Sequence, residues 1–291
     1  MNAAERWAGL CDGTFAQAEA FAKDSPLQDD IYAGYATAQR FDDPRRDLDP
    51  PLAAIGSYVQ PDDVVVDVGG GAGRVGLPLA LRCRELINVD ASPSMKPAFE
   101  DCARQAGITN ARHIQSGWLE AENIEGDVVL AVYMIETIRD VVPFIRKLET
   151  SARRRVIITT WASPPTERVR ANRRVQAEIF KTLFGIERPD SQEYIDLLHV
   201  LWEMGIVPEV TVQEMNSWSF LYSSHPVPKT RQEAVERASQ LLTLGGREDV
   251  FDQARSLVEA HFDDLYTETA DGFTDIENAE GCDVLMTWET Q

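Results

Sequence analysis

The stretch VVVDVGGGAGRVGLPLA, residues 64–80, decides the fold. An apolar run reaches a carboxylate at Asp67, meets Gly69, Gly70, Gly71 and Gly73, and passes at once into helix-forming sequence. An apolar run without polar alternation is the mark of a strand buried on both faces. Glycines between strand and helix let the backbone turn tightly and approach a ligand at the positive end of the helix. So dense a run of glycines is more than turn punctuation, and predicts a ligand-binding turn.

Working outward, the same rhythm repeats. Residues 74–84 read as a short helix, 86–90 as a second strand ending in Asp90, and 93–106 as a helix with Ser92 as a plausible N-cap. Residues 112–115 and 127–132 are further strands, 140–151 has helical apolar spacing, and 156–160 is a fifth strand. Short apolar strands separated by helices predict a doubly wound α/β sheet whose ligand sits beyond the carboxyl ends of the strands. After the fifth strand come a long Arg-rich helix over 166–184, a helix over 191–204 closed by Gly205, and a strand over 208–222. Two acidic, exposed-looking helices near 230–244 and 248–266 follow, with a last strand over 282–288.

The glycine turn spells two patterns. Gly71, Gly73 and Gly76 make G-x-G-x-x-G, with Asp90 at the spacing of an NAD(P)-binding fold, so an NAD(P)-dependent oxidoreductase is one reading. Asp67, Gly69, Gly71 and Gly73 make D-x-G-x-G-x-G. This second pattern resembles motif I of the class I S-adenosylmethionine-dependent methyltransferases, and VDASPSM (89–95) resembles their second motif. A carboxylate buried at the end of the first strand is costly and would repel a pyrophosphate, which favours the methyltransferase reading. Some sixty residues precede the first strand, and too little chain follows the fifth for a separate dehydrogenase domain.

The resemblance implies a Rossmann-like seven-stranded sheet, parallel except for an antiparallel last strand. It divides the chain into a helical N-terminal lid (1–60), an S-adenosylmethionine-binding core (61–161), a helical cap and return helix (162–206), and C-terminal strands with a helical insertion (207–291). It assigns the cofactor to Asp67, Gly69, Gly70, Gly71, Gly73, Asp90, Ala91, Met95, Gly117, Trp118 and Val132. Asp90 matches the acid that receives the ribose hydroxyls. Where many relatives carry an acid after the glycine of the third motif, this chain has Trp118. Glu120, Glu122, or the Trp118 backbone N–H with its ring beside the adenine are the alternatives.

Acceptor contacts are expected from Tyr133, Glu136 and Trp161 at the strand ends, and from Tyr32 and Tyr35 in the lid. The lid also carries Trp7, Phe15, Phe21 and Phe41. His113, His199, His225 and His261 share no pattern, so no general base is assigned. A methyl transfer can draw most of its acceleration from approximation and desolvation.

Composition bounds the partners. A formal net charge of −20 argues against nucleic acid, whose affinity comes from Lys and Arg at phosphates, and the short run Arg153–Arg154–Arg155 reads as a strand edge. The four cysteines have neither disulfide nor metal spacing, and no metal is expected. No signal peptide and no apolar run of membrane-spanning length is visible, so the expectation is a cytoplasmic enzyme acting on a small molecule, with a homodimer open to it. A protein that binds the cofactor without chemistry is the other alternative.

Overall fold

The computed structural model describes residues 1–22, 43–188, 192–214, 227–243 and 248–290. Tyr32, Tyr35 and Phe41 fall outside the described residues, as do the side chains of Phe15 and Phe21.

Five strands run parallel: β1 (Val64–Val68), β2 (Glu85–Asp90), β3 (Ala111–Gln115), β4 (Gly126–Val132) and β5 (Ala152–Ala162). With β6 (Glu209–Glu214) they make a seven-stranded sheet in the order β3-β2-β1-β4-β5-β9-β6, in which the last strand of the chain, β9 (Cys282–Glu289), runs antiparallel to both neighbours. The order reverses between β1 and β4, the switch point beyond whose carboxyl ends sheets of this kind bind their ligands. A two-stranded hairpin, β7 (Tyr266–Thr269) and β8 (Gly272–Asp275), which the sequence reading missed, lies outside this sheet.

Both faces of the sheet are covered, which is why β1 has no polar alternation and all its residues are buried. On one face Val64, Val66 and Val68 pack with α1 (Ala3–Ala22), α5 (Val141–Ser151) and α7 (Tyr194–Glu203). On the other, Val65, Leu86 and Leu130 pack with α2 (Pro50–Ser57), α3 (Gly76–Ala80) and α4 (Met95–Gln105). Helix α4 starts later than expected, with Ser94 rather than Ser92 at the N-cap position and no side-chain cap bond. The end of α7 is as expected: Gly205 takes φ 81°, and Ile206 N–H reaches back to Leu201 C=O at 2.8 Å.

Two expectations need correcting. The helices near 230–266, α8 (Arg231–Leu242), α9 (Phe251–Ala260) and α10 (Phe262–Leu265), are not an exposed insertion. Ala234, Val235, Ala254, Val258 and Phe262 bury against Ile179 and Leu183 of α6 (Glu167–Phe184), because a long amphipathic helix standing off the sheet needs its own apolar cover. Trp7, an aromatic that the sequence reading set in the lid and outside the core, is 1% accessible, belongs to the main core, and donates Nε1–H to Ile138 C=O at 2.7 Å. Helix α1, which carries it, packs on α7 and α5. Among the described residues no helix is long and apolar enough to cross a membrane.

Candidate cofactor and acceptor site

At the end of β1 the chain takes positive φ at Gly69 (70°), Gly71 (55°) and Gly73 (88°). An L side chain is strained at each, so the sequence can make this turn only with glycine. Gly70 is required for a different reason: a Cβ there would overlap the Asn88 amide oxygen and stand 2.5 Å from Asp67 Oδ2. The turn is therefore laid directly on two polar side chains, Asp67 and Asn88, which face each other in the β1–β2 register.

Asp67 is fully buried, and among the described residues no side chain donates to its carboxylate, which the Gly76 backbone N–H faces. Burial, reinforced by the charge of Asp90, pushes its carboxyl up to about 7. Asn88 donates Nδ2 to Gly71 C=O and to His113 Nδ1, both at 2.9 Å, while its Oδ1 is buried without a donor. Burial holds His113 down to about 4, so it sits neutral beneath the turn as a structural partner of Asn88.

Asp90 closes the turn from the side. Its Oδ2 accepts Gly71 N–H at 2.9 Å and its Oδ1 accepts Ser92 N–H at 2.9 Å. Ala91 is exposed beside it, and Met95 is buried with Ala98 against Ala72 of the turn, supporting the loop from below.

At the third motif, Gly117 is half-buried and the Glu120 carboxylate lies against its Cα, where a side chain would otherwise stand. Of the alternatives weighed for the missing acid, Glu120 is thus the side chain at this glycine. The Trp118 ring points inward: it is buried, edge-on to Phe144 at 6.5 Å, with Lys147 Nζ 4.9 Å above it. The apolar interior outcompetes the loop surface for so large a ring, so the indole belongs to the core.

Val132 ends β4, buried. Tyr133 follows with φ 50°, a left-handed conformation unusual for a non-glycine residue and a form of strain common at functional sites. Its hydroxyl donates to Asp283 Oδ1 at 2.5 Å, an acid at the start of β9 that sequence reasoning passed over because its partner is distant in the chain. Met134 lies over Gly69, its Cγ 2.9 Å from the position of a Cβ. Glu136 accepts a hydrogen bond from the Thr160 hydroxyl, and burial raises its carboxyl. Trp161 pairs with Asp283 in the β5–β9 register and is half-buried. The structure thus brings Asp67, the glycines, Asp90, Met134 and Glu136 to one edge of the sheet, and takes the Trp118 ring away from it.

A doubly wound sheet in this order, with an acid–glycine turn at the switch point and an acid closing it from β2, is the class I methyltransferase fold. Residues 66–158 match the family described as "Methyltransferase domain". Over this segment the chain therefore matches a methyltransferase domain, carried on a fold of the class I type.

The chain is 31% identical over 33% of its length to ribosomal RNA small subunit methyltransferase G of Ralstonia nicotianae, spanning 44% of that protein. It is 37% identical over 23% of its length to the 23S rRNA (uracil(1939)-C(5))-methyltransferase of Aeromonas salmonicida, spanning 14% of it. A SAM-dependent methyltransferase from Thiobacillus denitrificans, solved with S-adenosyl-L-homocysteine, superposes with a TM-score of 0.55 over 90% of this chain and 98% of that one, at 14% identity.

Proposed function

We propose that the protein binds S-adenosylmethionine at the Asp67–Gly73 turn and Asp90, and directs its methyl group to a small-molecule acceptor held by the turns after β4 and β5. The observation that carries this reading is the Asp90 carboxylate. It is fixed by two backbone N–H groups, one on each oxygen, at the end of β2 beside the glycine turn, where the resemblance places the acid that receives the ribose hydroxyls. The residues fit the cofactor in two further ways. The glycine turn takes positive φ at Gly69, Gly71 and Gly73, which lets backbone approach a ligand closely, and it lies on the buried carboxylate of Asp67.

When bound, the cofactor supplies a sulfonium methyl whose leaving group is already good. The protein's part is to orient, to exclude water and to hold the acceptor in line. Asp90 and the glycine turn fix the adenosyl end, while Tyr133 and Glu136 sit at the edge where an acceptor would approach.

A small acceptor is favoured over RNA by charge. The chain carries −20 overall, and its one basic run is already committed. Arg153 pairs with Asp127 at 2.9 Å, Arg154 with Asp63 at 2.5 Å, and Arg155 with Glu289 at 2.7 Å. A phosphate backbone would have to displace these acids. The RNA reading keeps its place because both curated relatives are named as ribosomal RNA methyltransferases.

Calorimetry with S-adenosylhomocysteine and with NAD and NADP tests the cofactor, and only the first should bind. Transfer of labelled methyl to a metabolite panel, set beside ribosomal RNA transcripts, tests the acceptor. Label incorporated into RNA and into no metabolite would reverse the choice.

A further inference from the structure

This inference rests on the methyl-transfer reading and concerns the acceptor half of the site. The turn after β4 touches the glycine turn, since Met134 packs on Gly69. Glu136 follows in the 3-10 turn Ile135–Thr137, just beyond the carboxyl end of β4, the strand beside the switch point. Its backbone is pinned from behind: Gln192 Nε2 donates to Glu136 C=O at 3.2 Å, and the Cys11 thiol faces the same oxygen at 3.8 Å. Its carboxylate is half-buried and receives the Thr160 hydroxyl from the end of β5.

Among the described residues no cation pairs with this carboxylate. Arg139, the nearest in sequence, gives Nε and Nη2 to Asp12 at 2.6 and 3.0 Å and Nη1 to Asp140 at 3.1 Å. The other titratable group facing the turn, Cys11, is a thiol that burial keeps protonated. Among the described residues no Lys, Arg or His forms an ion pair with Glu136, and burial alone dominates its raised carboxyl. A carboxylate drawn partly out of water with one hydroxyl donor is destabilising unless a positive group arrives to compensate it.

We propose that Glu136 is the specificity-determining residue of the acceptor site, and that it receives an ammonium group carried by the acceptor. The acceptor is then a small amine-bearing molecule, with Thr160 orienting the carboxylate toward it. The excess negative charge of the chain raises the local concentration of such cations. A nucleic acid offers no ammonium, so this proposal and an RNA acceptor are incompatible.

The test uses the full chain saturated with S-adenosylhomocysteine at pH 8, titrated with matched probes: benzylamine against benzyl alcohol, and n-butylamine against n-butanol. In at least one pair the amine should bind about tenfold tighter than its alcohol, about 1.4 kcal/mol. In Glu136→Gln that preference should vanish while affinity for S-adenosylhomocysteine stays within about threefold of the unsubstituted protein. Thr160→Val should weaken the preference without abolishing it. Equal binding within both pairs, no binding by any probe, or a preference that survives Glu136→Gln would each overturn the proposal. So would a large loss of S-adenosylhomocysteine affinity in Glu136→Gln, because the carboxylate would then serve the cofactor's own ammonium. The opening titration of the unsubstituted protein with S-adenosylhomocysteine reads the methyl-transfer assignment separately.

Discussion

The carboxylate of Asp90 ties Gly71 to Ser92: one oxygen takes each backbone N–H at 2.9 Å, so the end of β2 and the glycine turn after β1 move as one piece. The cofactor turn is thus held from the side by the acid expected to grip the ribose. Replacing that acid should cost affinity twice over, through the lost contact and through a looser turn.

Asp90→Ala removes a charged acceptor worth about 1.5–3 kcal/mol. Affinity for S-adenosylhomocysteine should fall roughly ten- to a hundredfold, read by calorimetry. Unchanged affinity would reduce Asp90 to a brace for the turn.

Two glycines should respond in opposite directions. A Cβ at Gly70 would collide with Asn88 and with Asp67 Cγ at 2.6 Å, two side chains fully buried beneath the turn. Gly70→Ala should destabilise the protein by about 1–3 kcal/mol, as overpacking does. Gly9 lies exposed within α1 with nothing within 4 Å of an added Cβ. Gly9→Ala should stabilise by about 0.5–1 kcal/mol, since the substitution only reduces the freedom of the unfolded chain. Thermal unfolding of the two variants should bracket the unsubstituted protein.

These contrasts mark what was legible in the sequence. The acid–glycine turn and Asp90 are local patterns whose chemistry is written in adjacent residues, and the structure brings them together at the expected switch point. The alternation of strands and helices followed from the buried apolar runs, and the seven-stranded sheet with its antiparallel last strand from the family resemblance. Less could be read where partners are remote. Trp7 and Trp118 look like surface or ligand aromatics in sequence, and only the packing of α1, α5 and α7 reveals that both are core. Ala254, Val258 and Phe262 recur at helical spacing, which announces an apolar face without naming α6 as its cover. The strands of the β7–β8 hairpin are too short for a period to emerge. Asp283 could not be linked to Tyr133 because their hydrogen bond spans 150 positions of chain.

Asp67 predicts a pH dependence with a definite sign. Its carboxyl is raised from 3.8 to about 7 in the folded protein, so the folded state binds this proton more tightly than the unfolded chain. Stability from this group is full below the unfolded value and declines as pH rises from about 4 to about 7. His113 works in the opposite direction: lowered from 6.5 to about 4, it adds stability as pH rises through that interval. The two nearly mask each other in the unsubstituted protein, so the comparison must be with Asp67→Asn. The stability advantage of Asp67→Asn should grow between pH 5 and pH 8, toward an upper bound of about 4 kcal/mol, since each tenfold difference in proton affinity corresponds to about 1.36 kcal/mol. Urea unfolding at the two pH values decides it, and a constant difference would mean that Asp67 does not titrate differently on folding.

Trp7 joins the N-terminal helix to the acceptor turn. Its ring fills the main core and its Nε1–H holds Ile138 C=O at 2.7 Å, the same carbonyl that faces the Cys11 thiol at 3.6 Å. The 3-10 turn before it is one short turn, closed by Thr137 N–H to Met134 C=O and Ile138 N–H to Ile135 C=O, each at 3.0 Å, and by the Thr137 hydroxyl to Met134 C=O at 2.7 Å, so it leans on the helix behind it. Trp7→Ala should cost about 3–5 kcal/mol through the cavity it leaves, a test of whether this helix is scaffold. Trp7→Phe keeps most of the packing and removes the hydrogen bond, for a loss nearer about 1 kcal/mol. Its effect should be concentrated in the turn: amide exchange at Thr137 and Ile138 should quicken while exchange in β1 and β4 stays as it was. The Glu136 carboxylate would then lose its fixed aim, so probes that bind there should weaken while S-adenosylhomocysteine does not. Equal acceleration of exchange throughout the sheet would show instead that Trp7 supports the fold as a whole and has no particular hold on the acceptor side.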